Sequence, residues 1–296
     1  MSDHVRIVEV GPRDGLQNAQ MHVSVDDRID FINDLSQTGL FVIEAGALVS
    51  PKWVPQMAGS DEVYQKIQKV QGISYPMLVP NEKGLERAIE IGVKEIALFV
   101  AASETFSQKN INKSIEESMM LARELAASAL SNGMRVRAYI SCVMGCPYEG
   151  AIAVDRVSQL TKDLLAMGCY EVSLGDTIGV GVPTQVRGLI AALKKEGVPV
   201  QKLALHCHDT YGTALANIYA GYEEGVRVFD SSAGGLGGCP YAKGASGNVA
   251  SEDLIHMFHK MGVKTGVDFD KFCDVSQKFL NKVKISSSSK IGKLRA

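Results

Sequence analysis

A (β/α)8 TIM barrel with extra C-terminal helices is the fold class this sequence predicts, and three observations predict it. Short β-branched runs alternate strictly with longer amphipathic stretches, the runs number eight, and no linker-like shift of composition interrupts the first 265 residues. Strict strand–helix alternation with short loops builds a parallel sheet, and eight units in about 260 residues suit a closed barrel better than an open doubly wound sheet. The expectation is one catalytic domain over residues 1–296, with the barrel over 5–265 and a helical extension and mobile tail over 266–296.

Taken in order, the strand candidates are "VRIVEV" at 5, "FVIEA" at 41, "YPMLV" at 75, "EIALFVA" at 95, "RVRAYIS" at 135, "YEVSL" at 170, "KLALHC" at 202 and "VRVFDSS" at 226. The first intervening stretch, "SVDDRIDFINDLSQTG", starts with Ser24 as a cap, lines Ile29, Phe31, Ile32 and Leu35 along one face, and stops at Gly39. "SIEESMMLARELAASALSNG" repeats the scheme, with Asn132-Gly133 as terminator and Met119 and Met120 as core filler. "DFDKFCDVSQKFLNKV" reads as one or two further helices, and "SSSSKIGKLRA" as a polar, mobile tail.

Bulk properties exclude several function classes. A net charge of -2 with scattered Lys and Arg gives no basic field to recruit nucleic acid or an anionic membrane. No apolar run is long enough to cross a bilayer, and because the first strand candidate begins at residue 5 no signal or transit peptide is expected among these residues. The six cysteines include no C-x-x-C pair, so reduced thiols in a cytosol-like compartment are expected. The expected location is the bacterial cytoplasm, with a mature organellar form as the alternative.

Barrels carry their chemistry at the C-terminal ends of strands. The first strand ends "EVGPRDGLQN", which sets Arg13 and Asp14 side by side at the rim; a turn held by a local salt bridge would use the same residues. The seventh ends "ALHCHDTYG", and alternation puts His206 and His208 on one face with Cys207 on the other. Two inward imidazoles are costly unless they share a proton donor or a metal, and two His with a carboxylate such as Asp14 form a common divalent-metal set. Glu44 ends strand two, Ser173 and Asp176 follow strand six, and Asp230 follows strand eight, where it could equally cap the structure. His256 and His259 fall on a helix surface, and His4 and His22 carry no pattern. Several acids converging on one mouth suggest metal or acid/base chemistry.

The stretch "GGLGGCPYAKGASGN" at 234–248 holds six glycines around Cys239. It contains neither G-x-x-x-x-G-K-[ST] nor G-x-G-x-x-G, so a phosphate cradle is disfavoured. That leaves half of a disulfide, or a mobile lid in which Gly234 to Gly238 let the backbone move and Cys239 is a reactive thiol.

Six segments, "EVGPRDGLQN", "VSPKWVPQM", "SCVMGCPYEG", "LGDTIGVG", "LHCHDTYG" and "DSSAGGLGGCPYAKGASGN", together resemble the 3-hydroxy-3-methylglutaryl-CoA lyase family, in order from about residue 5 to 285. The resemblance implies cleavage of the acyl-CoA to acetyl-CoA and acetoacetate with Mg2+ or Mn2+. It implies that Asp14, His206, His208 and Asn248 hold the metal, and that Arg13 faces the thioester carbonyl. Glu44, Asp176, His206 and Cys239 would join Arg13 in catalysis, and Gln17, Ser173 and Thr177 would join it in binding substrate. The partners implied are an acyl-CoA and, as a homodimer, a second copy of the chain. One departure stands out: in "EAGALVSPKW" Ala47 replaces a serine often found there, which leaves a related 3-hydroxy-3-alkylglutaryl-CoA as an alternative substrate.

Competing readings share parts of this pattern. A Claisen condensing enzyme of the isopropylmalate or homocitrate synthase type would carry R-D-G-E-Q where Leu16 stands, would lack Cys239, and often appends a regulatory domain. A pyruvate-type aldolase of the same barrel family stands further off. A non-catalytic scaffold would not need so many converging polar groups.

Overall fold

The computed structural model describes residues 4–19, 21–238 and 247–295. Parallel strands run through these residues as β1 (Arg6–Glu9), β2 (Val42–Ile43), β3 (Gly46–Ala47), β4 (Met77–Leu78), β5 (Glu95–Ala101), β6 (Arg135–Ser141), β7 (Glu171–Asp176), β8 (Leu203–Cys207) and β9 (Val228–Ser231). Their hydrogen-bonded order is β2-β1-β9-β8-β7-β6-β5-β4-β3. β2 and β3 are two halves of one barrel strand. Val42 and Ile43 pair with Val8 and Glu9 of β1, whereas Gly46 and Ala47 pair with Met77 and Leu78 of β4. Between them the Glu44 amide donates to the Glu9 carbonyl at 2.9 Å, and the Ala45 amide donates to Pro76 at 2.9 Å. The ring therefore closes, and its eight strand positions form the expected barrel.

The helices follow the capping chemistry. Helix Val25–Leu35 starts where the Ser24 side chain accepts the Asp27 amide at 3.1 Å, and it buries Phe31, Ile32 and Leu35. Helix Ile115–Ser131 opens on a reciprocal Ser114/Glu117 capping box. Met119 packs against the core, but Met120 is 58% exposed, one step further round the helix from the buried face. All five described cysteines, Cys142, Cys146, Cys169, Cys207 and Cys273, are free thiols. No helix among the described residues is long and apolar enough to cross a membrane.

Three polar residues lie deeper than the strand ends where the sequence puts them. Ser173 is inside β7, Asp230 inside β9, and Glu44 between the halves of the second barrel strand. Each is buried and finds a partner inside the barrel: Ser173 donates to Asp230, and Glu44 accepts from Arg13 and Tyr139.

The C-terminal segment also differs from the expected mobile tail. The Ser288 amide donates to the Gly234 carbonyl at 2.8 Å, and Asp253 receives the Ser289 hydroxyl at 2.7 Å and the Ile291 amide at 2.9 Å. A helix follows at Lys290–Arg295. Serines hold this stretch in place by satisfying buried backbone groups, a role that a polar composition conceals.

The first half of the glycine stretch is likewise pinned. Gly234 and Gly235 are buried at φ +62° and +64°, and a Cβ on Gly235 would lie 2.0 Å from the Ser288 hydroxyl. The Gly234 amide donates to both oxygens of buried Glu252 at 2.9 Å. The glycines here allow close approach and left-handed backbone, so the hinge expected at Gly234 to Gly238 does not begin at its first residues. Cys239 lies outside the described residues.

Glu9 anchors the same loop from below. It accepts the Gly11 amide at 2.7 Å, the Ala233 amide at 2.9 Å and the Ser251 hydroxyl at 2.6 Å. Burial pushes its carboxyl up to about 8, against the pull of those donors. A folded-state value above the unfolded one means the native state holds the extra proton, so this group's contribution to stability falls as pH rises from about 4.5 to about 8. Glu9→Gln keeps the acceptor oxygen and should flatten that part of the pH–stability curve. Chemical denaturation at pH 5, 6.5 and 8 checks it, and an unchanged slope would show that Glu9 is ionised when folded.

Candidate active site and metal centre

The site gathers at the C-terminal ends of the strands. After β1 the chain makes one π-helical turn, Gly11–Gly15, in which the Gly15 amide reaches back to the Val10 carbonyl at 3.1 Å. Gly15 is required there because a Cβ would lie 2.7 Å from the Ser232 hydroxyl and 2.8 Å from Leu236. The turn aims Arg13 and Asp14 into the mouth.

Arg13 is held on two sides. Its Nε donates to Glu44 Oε2 at 2.7 Å and its Nη1 donates to Asp14 Oδ1 at 2.6 Å, with the Tyr139 ring 5.5 Å below the guanidinium. Among the described residues its Nη2 has no partner. Burial alone would lower the Arg13 pKa, but Glu44 and Asp14 overcome it and hold the value above the ordinary one. Burial also raises the Glu44 carboxyl, and Arg13 only partly offsets this. Arg13 is thus a fixed cation with one edge left for an incoming oxyanion.

Beside it stand Asp14, His206 and His208, whose ligand atoms all lie within 4.8 Å of one another. His206 lies in β8 and His208 just past its end, and alternation puts both imidazoles on this face, as expected from H-x-H, with Cys207 buried on the other. Burial raises the Asp14 carboxyl, but Arg13 foremost, then His206 and His208, bring it well below the usual carboxylate range. His208 is held down at about 4 by burial and by His206, so it is neutral at pH 7. An ionised carboxylate and a neutral imidazole are the forms that bind a divalent cation.

Asn248 reaches Asp14 from the far side of the glycine stretch. Its Nδ2 donates to Asp14 Oδ2 at 2.8 Å and to the Leu236 carbonyl at 3.2 Å. Turning the amide over would set oxygen against oxygen at both contacts, so the orientation is dictated and Oδ1 is left buried without a partner. An orphaned amide oxygen and the orphaned Nδ1 of His208, beside a carboxylate and a second imidazole, fit a divalent cation.

Asp176 ends β7, with its oxygens accepting the Val180 amide at 3.1 Å and the Gly181 amide at 2.9 Å. Burial outweighs these donors and raises its carboxyl to about 6. Thr177 accepts the Cys142 amide at 2.8 Å, and Ser173 donates to Asp230 at 2.6 Å, so neither side chain is free for substrate alone. Gln17 presents a buried Oε1 without a partner. Ala47 is buried beside a cleft of about 280 Å3 that Lys83 and Arg87 also line. His256 and His259 lie against Phe269 instead, away from the mouth.

Inspection of strand ends misses the mid-barrel layer. Tyr139 donates to Glu44 at 3.3 Å, and Arg137 bridges Glu171 at 2.8 Å and Asp230 at 2.7 Å. The signal was present: "RVRAYIS" places Arg137 and Tyr139 two apart inside an apolar run, the spacing of one strand face.

Comparison with known proteins is consistent throughout the chain. The HMGL-like family model matches residues 4–278. A Pseudomonas aeruginosa protein named 3-hydroxy-3-isohexenylglutaryl-CoA/hydroxy-methylglutaryl-CoA lyase is 54% identical over 98% of this chain and 96% of its own length. The crystal structure of hydroxymethylglutaryl-CoA lyase from Pseudomonas aeruginosa superposes with a TM-score of 0.97 at 52% identity, covering 100% of this chain and 98% of that one. An HMG-CoA lyase from Acinetobacter baumannii, solved with coenzyme A and 3-methylmalate, gives 0.94 at 36% identity over 99% and 95% of the two chains.

Proposed function

The chain belongs to the HMGL-like family, and on that premise we propose that it is a metal-dependent carbon–carbon lyase cleaving 3-hydroxy-3-methylglutaryl-CoA to acetyl-CoA and acetoacetate. The observation that carries this reading is the pairing of a three-ligand cluster, Asp14, His206 and His208, with a clamped Arg13 at one barrel mouth. Asp14, His206, His208 and Asn248 would hold Mg2+ or Mn2+. When bound, such a hard cation lowers the pKa of the substrate's tertiary hydroxyl.

The protein's own residues supply the remaining steps. Asp176, raised to about 6, is suited to take the hydroxyl proton. The C–O bond then becomes the ketone of acetoacetate, the C2–C3 bond breaks, and its electron pair becomes the thioester enolate. Arg13 faces the enolate oxygen with its free edge and stabilises the developing charge. Cys239 donates the proton that turns the enolate into acetyl-CoA, with Glu44 keeping Arg13 in place. Gln17, Ser173 and Thr177 contribute polar contacts to the acyl end.

The acyl-CoA is the partner this site fits, and the same machinery would serve a 3-hydroxy-3-alkylglutaryl-CoA, since Ala47 presents a methyl where a serine would present a hydroxyl. The isohexenyl substrate in the name of the Pseudomonas aeruginosa relative favours testing that second reading. A homodimer in the bacterial cytoplasm, with a mature organellar form as the alternative, is our proposal for its state and location, and relatives named as cytoplasmic support the first.

Purified protein with Mg2+ should release acetoacetate from 3-hydroxy-3-methylglutaryl-CoA, and EDTA should abolish the release until metal is restored. A coupled acetoacetate assay checks this. Consumption of acetyl-CoA with a 2-oxo acid, and no acetoacetate, would replace the lyase by a condensing enzyme.

A further inference from the structure

One buried acid facing the site is not used in these steps. Asp230 lies in β9 with no exposure of its side chain, and its carboxylate is held from several directions. Arg137 donates through Nη2 to Oδ1 at 2.7 Å and through Nη1 to Oδ2 at 3.4 Å, while Ser173 donates to Oδ2 at 2.6 Å. Arg137 is itself held at Nε by Glu171 at 2.8 Å, and Arg6 closes the far side of Glu171. This chain of charges runs up the barrel interior and ends beneath His206.

The His206 ring meets it edge-on. Nδ1 stands 3.4 Å from Asp230 Oδ2, at the long limit of a hydrogen bond and off its ideal line. Nε2, on the other side of the ring, lies 3.9 Å from Asp14 Oδ2. Tyr139 closes a third side, its ring 6.0 Å away and nearly perpendicular at 85°. A neutral imidazole carries one ring proton, and the partner of one nitrogen decides which nitrogen keeps a lone pair.

We propose that Asp230, clamped by Arg137 and Ser173, is a positioning residue that holds Nδ1–H of His206 and so turns the Nε2 lone pair toward Asp14 and the metal. The inference rests on the metal reading above and extends it by one layer of residues. A carboxylate behind a ligating imidazole fixes both the tautomer and the ring angle. Asp230 suits that task because Arg137 and Ser173 already hold both of its oxygens: it can move little, and as a carboxylate it accepts only.

Asp230→Asn separates this role from simple packing. The amide oxygen stays with Arg137, so the amide nitrogen turns to Nδ1 and favours the Nε2–H tautomer, which cannot ligate. Mn2+ affinity, read by electron paramagnetic resonance of the free ion, should fall about 10- to 100-fold. Near-ultraviolet circular dichroism should remain that of the parent. Arg137→Lys, which keeps the charge and loses the fork, should fall between the two.

Ring-nitrogen NMR of the Mg2+-saturated parent gives a readout that needs no variant to fold: His206 should show Nδ1–H and a ligated Nε2. An Nε2–H tautomer there overturns the proposal. So does a folded Asp230→Asn protein that binds Mn2+ within twofold of the parent while His208→Ala has lost it. A parent that binds no Mn2+ removes the metal reading and this one together, so the two failures are told apart.

Discussion

Replacing Arg13 by Lys is expected to lower kcat about 100- to 1000-fold, with a much smaller change in Mn2+ affinity. Arg13 spends Nε on Glu44 and Nη1 on Asp14, and a guanidinium still has an edge to offer an oxyanion. A lysine ammonium is a point charge on a flexible stem, and the two acids would draw it back from the substrate. Loss of one preorganised donor to a developing oxyanion costs about that factor, because the charge it meets exists only near the transition state. KM should therefore move less than kcat. Steady-state kinetics with the acyl-CoA, beside Mn2+ titration, measures both. A loss of less than tenfold would place the enolate oxygen against some other group.

Asp176→Asn carries the second large effect. Removal of a general base of this kind typically costs about 100- to 10,000-fold, and kcat should fall within that range. The pH profile should identify the role. Burial holds the Asp176 carboxyl at about 6, and a base must be ionised to act, so activity of the parent should rise as pH climbs through about 6. In the Asn variant that limb should vanish and the residual rate should be flat. The amide oxygen can still accept one of the Val180 and Gly181 amides, so the turn should hold and Mn2+ affinity should stay within a few-fold. A variant that keeps the parent's limb would move the base function to another group.

Much of the site could be read one residue at a time. H-x-H on a strand has one structural meaning, because alternation sends both imidazoles the same way, and the end of β8 puts them there, with His208 just past the strand. Arg13 and Asp14 follow a proline-containing break, and the break is a turn at the barrel mouth. The deeper layer was harder to see because its residues answer only to each other. Ser173, Asp230 and Glu44 look like strand ends when every polar residue is assumed to stop a strand. In the closed barrel each finds a donor or acceptor from another strand, and the strands pass through them. Serines at 287–289 look like a loose tail for the same reason: their partners, Gly234 and Asp253, are decided by packing and not by neighbours in sequence.

By itself the sequence determined the closed parallel barrel, the face on which the imidazoles stand, and the residue types available at the mouth. Those follow from periodicity and from backbone chemistry that act over a few residues. Only the tertiary structure decided that Arg13 is clamped by Glu44 across 31 residues, that Asn248 reaches Asp14 across 234, and that Arg137 and Asp230 stand behind His206. Such pairings depend on which strands become neighbours when the ring closes, and on burial strong enough to force each charge to find the other.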